Sequence, residues 1–252
     1  SGTITVGSGM TSGAFSGPGG ASASSGVTIP AVVGAGDISF AGQLTDPIVK
    51  VTDKYSYDQM SRDINSLKSR YGSHLQVKTI GTSLDGRSLY EMIIGNPNAS
   101  KQILIHAGIH AREYMTPLLV MKQAEHLLDF YDSGSYQGRK LSDILAGVAI
   151  HIVPMVNPDG VQISQFGSEG IIDPVLRQEL QEKIATQREA RRWKGNAKGV
   201  DLNRIFTEEA LDQPESIVLR DLVNAVSPQL TINYHSTGQV IFYRQFFTAL
   251  EY

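Results

Sequence analysis

Residues 101–131 read KQILIHAGIHAREYMTPLLVMKQAEHLLDFY, and this stretch decides the fold class of the chain. A short apolar strand is predicted over Gln102–His106. Thr116-Pro117 then predicts a helix start, because threonine caps helices and proline suits the first helical position, and the helix is expected to reach about Tyr131. A strand that leads through a polar loop into a helix is typical of α/β proteins.

The same alternation continues on both sides of this stretch. Ser56 and Gln59 have the S-x-x-Q spacing of a capping box at the start of a helix that ends at Gly72. Asn157-Pro158-Asp159-Gly160 predicts a turn after a strand. The other predicted elements are strands at Leu75–Ile80, Leu89–Ile94, Val148–Val156 and Leu230–Tyr234, and helices from Asp173 to about Arg192 and over Glu215–Val226. Together they predict an α/β/α sandwich around a mixed, mostly parallel sheet.

Residues 1–45 differ in composition from the rest of the chain. They hold 11 of the 25 glycines, many serines and one charged residue, Asp37. Such a segment has few large side chains to bury, which is typical of a flexible linker or an exported spacer. The alternative is an N-terminal arm that packs on the domain through short strands. We expect the ordered domain to lie within residues 46–252.

The overall composition argues against several classes of protein. The formal net charge is −3, which gives no indication of nucleic-acid binding. No apolar run reaches the roughly 18 residues that a membrane helix needs, so no membrane span is predicted. The chain has no cysteine, which excludes disulfides and thiolate metal ligands. This composition suits an exported bacterial protein, and we expect an extracellular or cell-envelope location.

Several polar residues come directly after predicted strands. His110 and Glu113 form an H-x-x-E pattern in one such loop, and His235 follows the strand at Leu230–Tyr234. Because ligands of α/β sheets gather beyond the carboxyl ends of the strands, we expect these side chains to approach one another. Two histidines and a glutamate are a known ligand set for catalytic zinc. H-x-x-E alone is common by chance: His106 could replace His110, and a histidine such as His235 is often only hydrogen-bonded.

Five segments resemble the M14 zinc carboxypeptidases, in the order in which that family has them. They are YSYDQM…LDGRSLYEMIIG (55–95), HAGIHAREYMTP (106–117), NPDG (157–160), RWKGNAKGVDLNR (192–204) and NYHSTGQ (233–239). The resemblance covers residues 55 to about 243 and implies a zinc carboxypeptidase-like domain within residues 46–252. It further implies one Zn²⁺ ion held by His110, Glu113 and His235, which leaves His106 outside the ligand set.

The resemblance also implies which residues hold the substrate. Asn203 and Arg204 match the family pair that binds the C-terminal carboxylate of a peptide. Arginine suits this role because its planar guanidinium can donate two hydrogen bonds to one carboxylate. Arg112 matches another substrate contact. Asp201 matches the carboxylate that orients a zinc histidine, here His110.

Two positions depart from the family pattern. The family arginine that polarises the scissile carbonyl aligns with Lys194, and Arg192 lies two residues before it. A lysine can also stabilise an oxyanion, but as a point charge. The stretch after Arg204 is short, since Pro214 follows where family members carry a longer loop. We therefore expect a reshaped loop beside the substrate.

The general base is the third departure. Family members place it in an F-T-x-E-like strand several tens of residues after the third ligand, whereas Glu251 here follows Thr248 after two intervening residues. Because side chains alternate along a strand, the extra residue turns Glu251 to the opposite face. Only 17 residues follow His235. We expect the family domain to be truncated at its C-terminus and to lack the base, with Glu251 as the remaining candidate.

The expected function follows from this resemblance. The stretch WKGNAKGVDLNR at 193–204 is similar to that of bacterial members that cut γ-D-glutamyl–diaminopimelate bonds. We expect a zinc metallopeptidase that hydrolyses a peptide bond near a free C-terminal carboxylate in bacterial cell-wall peptides, with a peptide or muropeptide as its partner. The alternatives are a non-catalytic zinc-binding protein that recognises peptides, and an inactive fragment without the base.

Overall fold

The computed structural model describes residues 38–39, 44, 46–206 and 212–236. The strands in this part are β1 Ile38–Ser39, β2 Leu75–Thr82, β3 Ser88–Gly95, β4 Lys101–Ala107, β5 Ser135–Tyr136, β6 Arg139–Lys140, β7 Val148–Val153 and β8 Leu230–Tyr234. The helices are α1 Tyr57–Tyr71, α2 Met115–Asp129, α3 Leu141–Leu145, α4 Pro158–Phe166, α5 Pro174–Lys183, α6 Gln187–Ala190 and α7 Pro214–Val226. Short 3₁₀ turns lie at Gly167–Gly170 and Leu202–Arg204. None of the helices described here has the length and apolar character to cross a membrane.

Five of these strands form the central sheet, in the order β2-β3-β7-β4-β8. Strand β3 pairs antiparallel with both β2 and β7, while β4 pairs parallel with β7 and β8. Four of the five strands therefore point the same way and β3 runs against them, although only half of the pairings are parallel. The prediction of a mixed α/β sheet is confirmed.

Helices cover both faces of this sheet. On one face, α1, α2 and α3 bury a large core that includes Met60, Ile64, Leu67, Leu118, Met121, Leu145, Met92, Ile94 and Ile152. On the other face, Leu219 and Leu222 of α7 pack with Leu104 and Val153. Strand β4 divides its side chains between the two cores, because Leu104 belongs to the second and the adjacent Ile105 packs on the first. The predicted sandwich of helices around the sheet is therefore present.

Helix α1 begins at its predicted cap. The Ser56 hydroxyl accepts a hydrogen bond from the backbone N–H of Gln59 at 3.1 Å, but the Gln59 side chain donates to Oδ1 of Asp63 at 2.7 Å. The hydroxyl of buried Tyr55 donates to the other oxygen of Asp63 at 2.7 Å. Only half of the predicted capping box forms, because Asp63 draws the Gln59 side chain into the next turn. Gly72 ends the helix as predicted.

Two helix boundaries differ from the prediction. Helix α2 begins at Met115, so Thr116 lies inside it and not at its cap. The helix expected to reach about Arg192 ends at Lys183, where the backbone of Ile184 becomes extended. Thr186 then starts α6 with a complete capping box, since its side chain and that of Glu189 each bind the other's backbone N–H. A strong cap inside a charged helical pattern therefore divides one predicted helix into two.

A buried charged cluster closes the β2–β3 hairpin; we call Arg87, Asp85 and Asp159 the Arg87 cluster. Nη1 of Arg87 contacts the Asp85 carboxylate and donates to Oδ1 of Asp159 at 2.9 Å, and Nη2 donates to the carbonyl of Gly170 at 2.7 Å. Burial raises the pKa of Asp159, while hydrogen bonds from the Asp85 backbone, Arg87 and Ser83 oppose that rise. The cluster fixes the hairpin against α4.

The segment before α1 packs on the body of the domain. Strand β1 pairs antiparallel with β5. Buried Glu125 of α2 accepts the backbone N–H groups of Ile48 at 2.5 Å and Val49 at 3.2 Å, and Lys122 donates to the Val49 carbonyl at 3.0 Å. Residues 1–37, 40–43 and 45 lie outside the described part, so the linker and arm interpretations of residues 1–45 both stay predictions.

Candidate metal centre

The H-x-x-E loop lies between the end of β4 and the start of α2. Gly108 has a φ of +66°, and a Cβ there would lie 2.9 Å from Cγ of Pro117, so this position needs glycine. The Gly108 N–H donates to the Thr116 hydroxyl at 3.1 Å. The Glu113 N–H donates to the His110 carbonyl at 3.1 Å, which closes a tight turn. This turn directs both predicted ligands to the same side of the loop.

The side chain of Asn157 binds the backbone of this loop. The predicted turn at Asn157-Pro158 is wrong: Asn157 is the N-cap of α4, and its Oδ1 accepts the Gly160 N–H at 2.9 Å. The amide nitrogen of the same side chain donates to the carbonyls of Ile109 at 3.2 Å and Gly195 at 3.1 Å. One fully buried side chain thus joins the H-x-x-E loop, the start of α4 and the segment that carries Lys194.

The backbone between the two loop ligands is held as well. The Ala111 N–H donates to the carbonyl of Lys194 at 3.0 Å. The Ala111 carbonyl accepts the hydroxyl of buried Ser164 in α4 at 2.8 Å. The NPDG motif marked Asn157 only as part of a turn, and no motif marked Ser164; their signal as supports of the site is a buried polar side chain facing loop backbone, which only the fold reveals.

The three predicted metal ligands meet at the carboxyl ends of β4 and β8. Each offers one ligand atom, and these atoms all lie within 4.8 Å of one another. Nδ1 of His110 is 3.3 Å from Oε1 of Glu113, and Nδ1 of His235 is 2.7 Å from Oε2 of the same carboxylate. The His110 and Glu113 side chains are 9% and 3% exposed, whereas that of His235 is 28% exposed. The cluster therefore opens to solvent on the His235 side.

The ion pair of Asp201 and Lys194 lies next to Nε2 of His110. Its Nε2 is 3.2 Å from Oδ1 of Asp201, and Nζ of Lys194 is 2.6 Å from Oδ2. Partial burial would raise the pKa of Asp201, but the hydrogen bonds from Lys194 and the Asn203 backbone, together with the charge of His110, lower it. The carboxylate is thus held ionised with one oxygen toward His110, which is the arrangement expected of a group that orients a metal-binding histidine.

His106 lies in β4 close to this cluster but outside it. The described His/Cys/Asp/Glu cluster comprises His110, Glu113 and His235. His106 is 1% exposed, and burial together with the charge of His235 lowers its pKa to about 3. It is therefore a neutral, buried ring, in agreement with its expected place outside the ligand set.

The donor set fits a zinc ion. Two imidazole nitrogens and one carboxylate oxygen are ligands that catalytic zinc takes, and a set of three leaves a coordination position for another ligand. Ligand bonds of about 2.0–2.2 Å allow donor atoms on one ion to lie up to roughly 4 Å apart, which is close to the 4.8 Å limit found here. The solvent-facing His235 side provides access for the ion and a further ligand.

The residues expected to hold substrate lie in two segments that also carry groups of this cluster or of its support, Asp201. Arg112 is exposed in the loop between the two buried ligands. Asn203 and Arg204 lie in the 3₁₀ turn capped by Asp201, whose Oδ1 accepts the Asn203 N–H at 3.1 Å. Arg204 is exposed and donates from Nη1 to the Asn203 carbonyl at 2.9 Å. Asp201 therefore links the position of this turn to the position of His110.

The remaining predicted groups have different environments. Lys194 is engaged by Asp201, so its expected action on a scissile carbonyl competes with that ion pair. Arg192 is exposed on the surface beside Trp193. Glu251 lies among residues 237–252, outside the described part, so its role as a base stays a prediction.

Comparisons with known proteins agree with this site. Residues 60–247 match the family described as zinc carboxypeptidase, Peptidase_M14. The chain is 30% identical to the γ-D-glutamyl-L-diamino acid endopeptidase 1 of Lysinibacillus sphaericus over 80% of its own length and 55% of that protein, and 24% identical to the uncharacterised protein YqgT of Bacillus subtilis over 80% and 58%. The chain thus spans little more than half the length of these relatives.

A solved structure gives the same result for the fold. The thrombin-activatable fibrinolysis inhibitor is similar to this chain with a TM-score of 0.59 and 19% identity, over 77% of this chain and 51% of that one. At this identity the likeness concerns the fold alone, and it agrees with the mixed sheet and its covering helices. The family match extends over most of the chain and includes all three converging ligands. The chain therefore belongs to the zinc carboxypeptidase family, Peptidase_M14.

Proposed function

We propose that this chain carries the zinc centre of a metallopeptidase that hydrolyses a peptide bond near a free C-terminal carboxylate, in peptides of the bacterial cell wall. The observation that carries the proposal is the convergence of His110, Glu113 and His235, with Asp201 behind His110. Similarity to an endopeptidase named for γ-D-glutamyl-L-diamino acid bonds supports the cell-wall substrate. A muropeptide substrate would place the protein outside the cell or in the cell envelope.

His110, Glu113 and His235 would hold the ion. Bound zinc supplies Lewis acidity, which polarises a carbonyl and lowers the pKa of a water. Asp201 orients His110, and its ion pair with Lys194 keeps the carboxylate in place. The sequence leaves the proton-transfer group open, because Glu251 is displaced by one residue from the family spacing.

Arg204 is the proposed anchor for the substrate carboxylate. It is exposed, and the turn that carries it is tied through the Asn203 N–H to Asp201. A peptide held there by its carboxylate would lie at a set distance from the metal ligands. Replacement of Arg204 by alanine should cost about 1.5–3 kcal/mol of peptide affinity, since a hydrogen-bonded ion pair is lost.

The test combines metal analysis with hydrolysis assays on the full chain. We expect one zinc per chain, and hydrolysis or binding of a γ-D-glutamyl–diaminopimelate peptide that is stronger for the free acid than for its amide. A standard carboxypeptidase substrate serves as the comparison for the cell-wall peptide. A protein that remains metal-free after zinc addition, or that treats acid and amide alike, contradicts the proposal.

The second candidate is zinc-dependent peptide binding without catalysis. The spacing of Thr248 and Glu251 favours it, because a one-residue shift in a strand reverses the direction of a side chain. In that case zinc and the free-acid peptide bind but no turnover occurs. Turnover that disappears in Glu251→Gln would instead identify Glu251 as the base.

A further inference from the structure

The two zinc histidines differ in what faces their outer nitrogen. Both direct Nδ1 toward Glu113, at 3.3 Å from His110 and 2.7 Å from His235. Nε2 of His110 faces the carboxylate of Asp201, which accepts a hydrogen bond. Nε2 of His235 faces the side-chain amide of Asn233, whose Nδ2 is 2.9 Å away. An amide offers a donor at one end and an acceptor at the other. Which ring nitrogen of His235 carries the proton therefore depends on the orientation of this amide.

The amide of Asn233 fits beside His235 in either orientation. With Nδ2 toward His235, the amide oxygen is buried and has no hydrogen-bond partner among the residues that the structure describes. Buried polar atoms in proteins are almost always hydrogen-bonded. A half-turn of the amide, whose two ends are nearly equal in size and shape, gives the oxygen a partner at Nε2 of His235 but moves the two N–H groups to the buried position. Hydrogen-bond counting alone therefore does not choose between the two orientations.

The chemistry of the metal centre selects the orientation with the amide oxygen toward Nε2 of His235. A neutral imidazole carries one proton, so a ring whose Nδ1 lone pair is directed into the ligand cluster carries that proton on Nε2. The Nε2–H group then needs an acceptor, as Asp201 supplies for His110. The amide oxygen of Asn233 provides it, whereas the amide nitrogen would favour the opposite tautomer and place the proton inside the ligand cluster.

We infer that Asn233 is a positioning residue of the metal centre, whose amide oxygen accepts the Nε2–H of His235 and keeps its Nδ1 free for the ion. The inference rests on the proposed zinc site. Asn233 is well placed for this role, because it lies two residues before His235 on the same face of β8 and pairs in register with His106 of β4. His235 is thereby held from the sheet although its side chain is partly exposed.

The test separates an acceptor from a donor by two substitutions at Asn233. Aspartate keeps the acceptor and removes the donor, while leucine removes both and keeps a similar size. We expect Asn233→Asp to bind zinc at least as tightly as the wild type and Asn233→Leu to bind about 10- to 100-fold more weakly. Zinc affinity is measured by competition with a chromophoric chelator. Thr231→Val, on the same face of β8, is the control and should leave the affinity unchanged.

Equal weakening of both variants would mean that the amide donates to His235, and unchanged affinity in both would mean that it has no part in the site; either result overturns the inference. A wild type that binds no zinc instead overturns the proposed function. The zinc-loaded wild type gives a second measurement that needs no variant. Nitrogen NMR of the imidazoles should show His235 protonated at Nε2, and protonation at Nδ1 would contradict the inference.

Discussion

The metal centre and the Arg87 cluster each combine carboxylates with nitrogen-bearing side chains, but their hydrogen-bonding groups are arranged in opposite ways. In the Arg87 cluster two carboxylates face one guanidinium, so donors meet acceptors. In the metal centre one carboxylate faces Nδ1 of two imidazoles, so three groups able to donate electron pairs converge. The first arrangement is complete in itself, whereas the second is complemented by a cation.

Solvent access separates the two regions further. The Arg87 side chain is 6% exposed and its two aspartates are 0% exposed, while His235 is 28% exposed. A ligand can therefore reach the metal centre but not the Arg87 cluster. Burial of charge alone therefore does not identify a functional site. Convergence of lone pairs at a solvent-accessible strand end identifies one.

The largest expected effect is loss of the ion after a ligand is removed. His110→Ala should lower zinc affinity by orders of magnitude, because the remaining His235 and Glu113 cannot complete a three-ligand site. Metal analysis after dialysis at a fixed free zinc concentration measures this. His74→Ala, at a surface pair with Asp132, is the control and should retain the ion. Full zinc occupancy in His110→Ala would show that another set of ligands holds it.

Loss of the Arg87 side chain should lower the stability of the protein but leave its zinc affinity unchanged. Arg87→Met leaves Asp85 and Asp159 buried without their cation and should lower the free energy of unfolding by about 3–5 kcal/mol. Chemical denaturation of the metal-free protein measures it. Arg220→Met breaks an exposed pair with Asp221 and should cost no more than about 1 kcal/mol. Similar losses in the two variants would mean that the Arg87 cluster is not the structural centre described here.

Asp201→Asn should weaken zinc binding less than the loss of a ligand does. It keeps the size of the side chain but removes the charge that faces His110 and Lys194. We expect zinc affinity to fall by about 10- to 100-fold. Chelator competition measures it, with Asp221→Asn at a surface pair as the control. An affinity equal to that of the wild type would show that Asp201 does not act through His110.

The smallest effect on zinc affinity is expected at Asn157, which lies between the two regions. Asn157→Ala removes the cap of α4, and the loss of that cap alone should cost about 0.5–2 kcal/mol of stability. It also frees the carbonyls of Ile109 and Gly195, so zinc affinity should fall as well. Thermal unfolding with and without zinc separates the two effects. A variant that loses stability but binds zinc like the wild type would make Asn157 a helix cap only.

Much of the fold follows from local patterns. Leu230–Tyr234 was predicted at its observed bounds, because apolar and polar side chains alternate along it, as they do in a half-buried strand. Ligands that come directly after strands are brought together by the sheet, but it was the resemblance to the M14 family that selected His110, Glu113 and His235 and left His106 out. The predictions that fail concern ends of helices, such as Thr116 and Asn157, where tertiary hydrogen bonds decide which residue becomes the cap.

The sequence by itself determined the α/β alternation, through spacing along the chain, and the resemblance to a family, through its motifs. The choice of the three ligands followed from that resemblance. Only the tertiary structure decided how the ligands are held. Asn157 binds the backbone of the ligand loop, Lys194 forms an ion pair with Asp201, and the amide of Asn233 contacts Nε2 of His235. These contacts join parts of the backbone whose distance is set by the packing of β4, β8 and α4. A polar residue in a sequence shows that it needs a partner, and the fold alone determines which partner lies within reach.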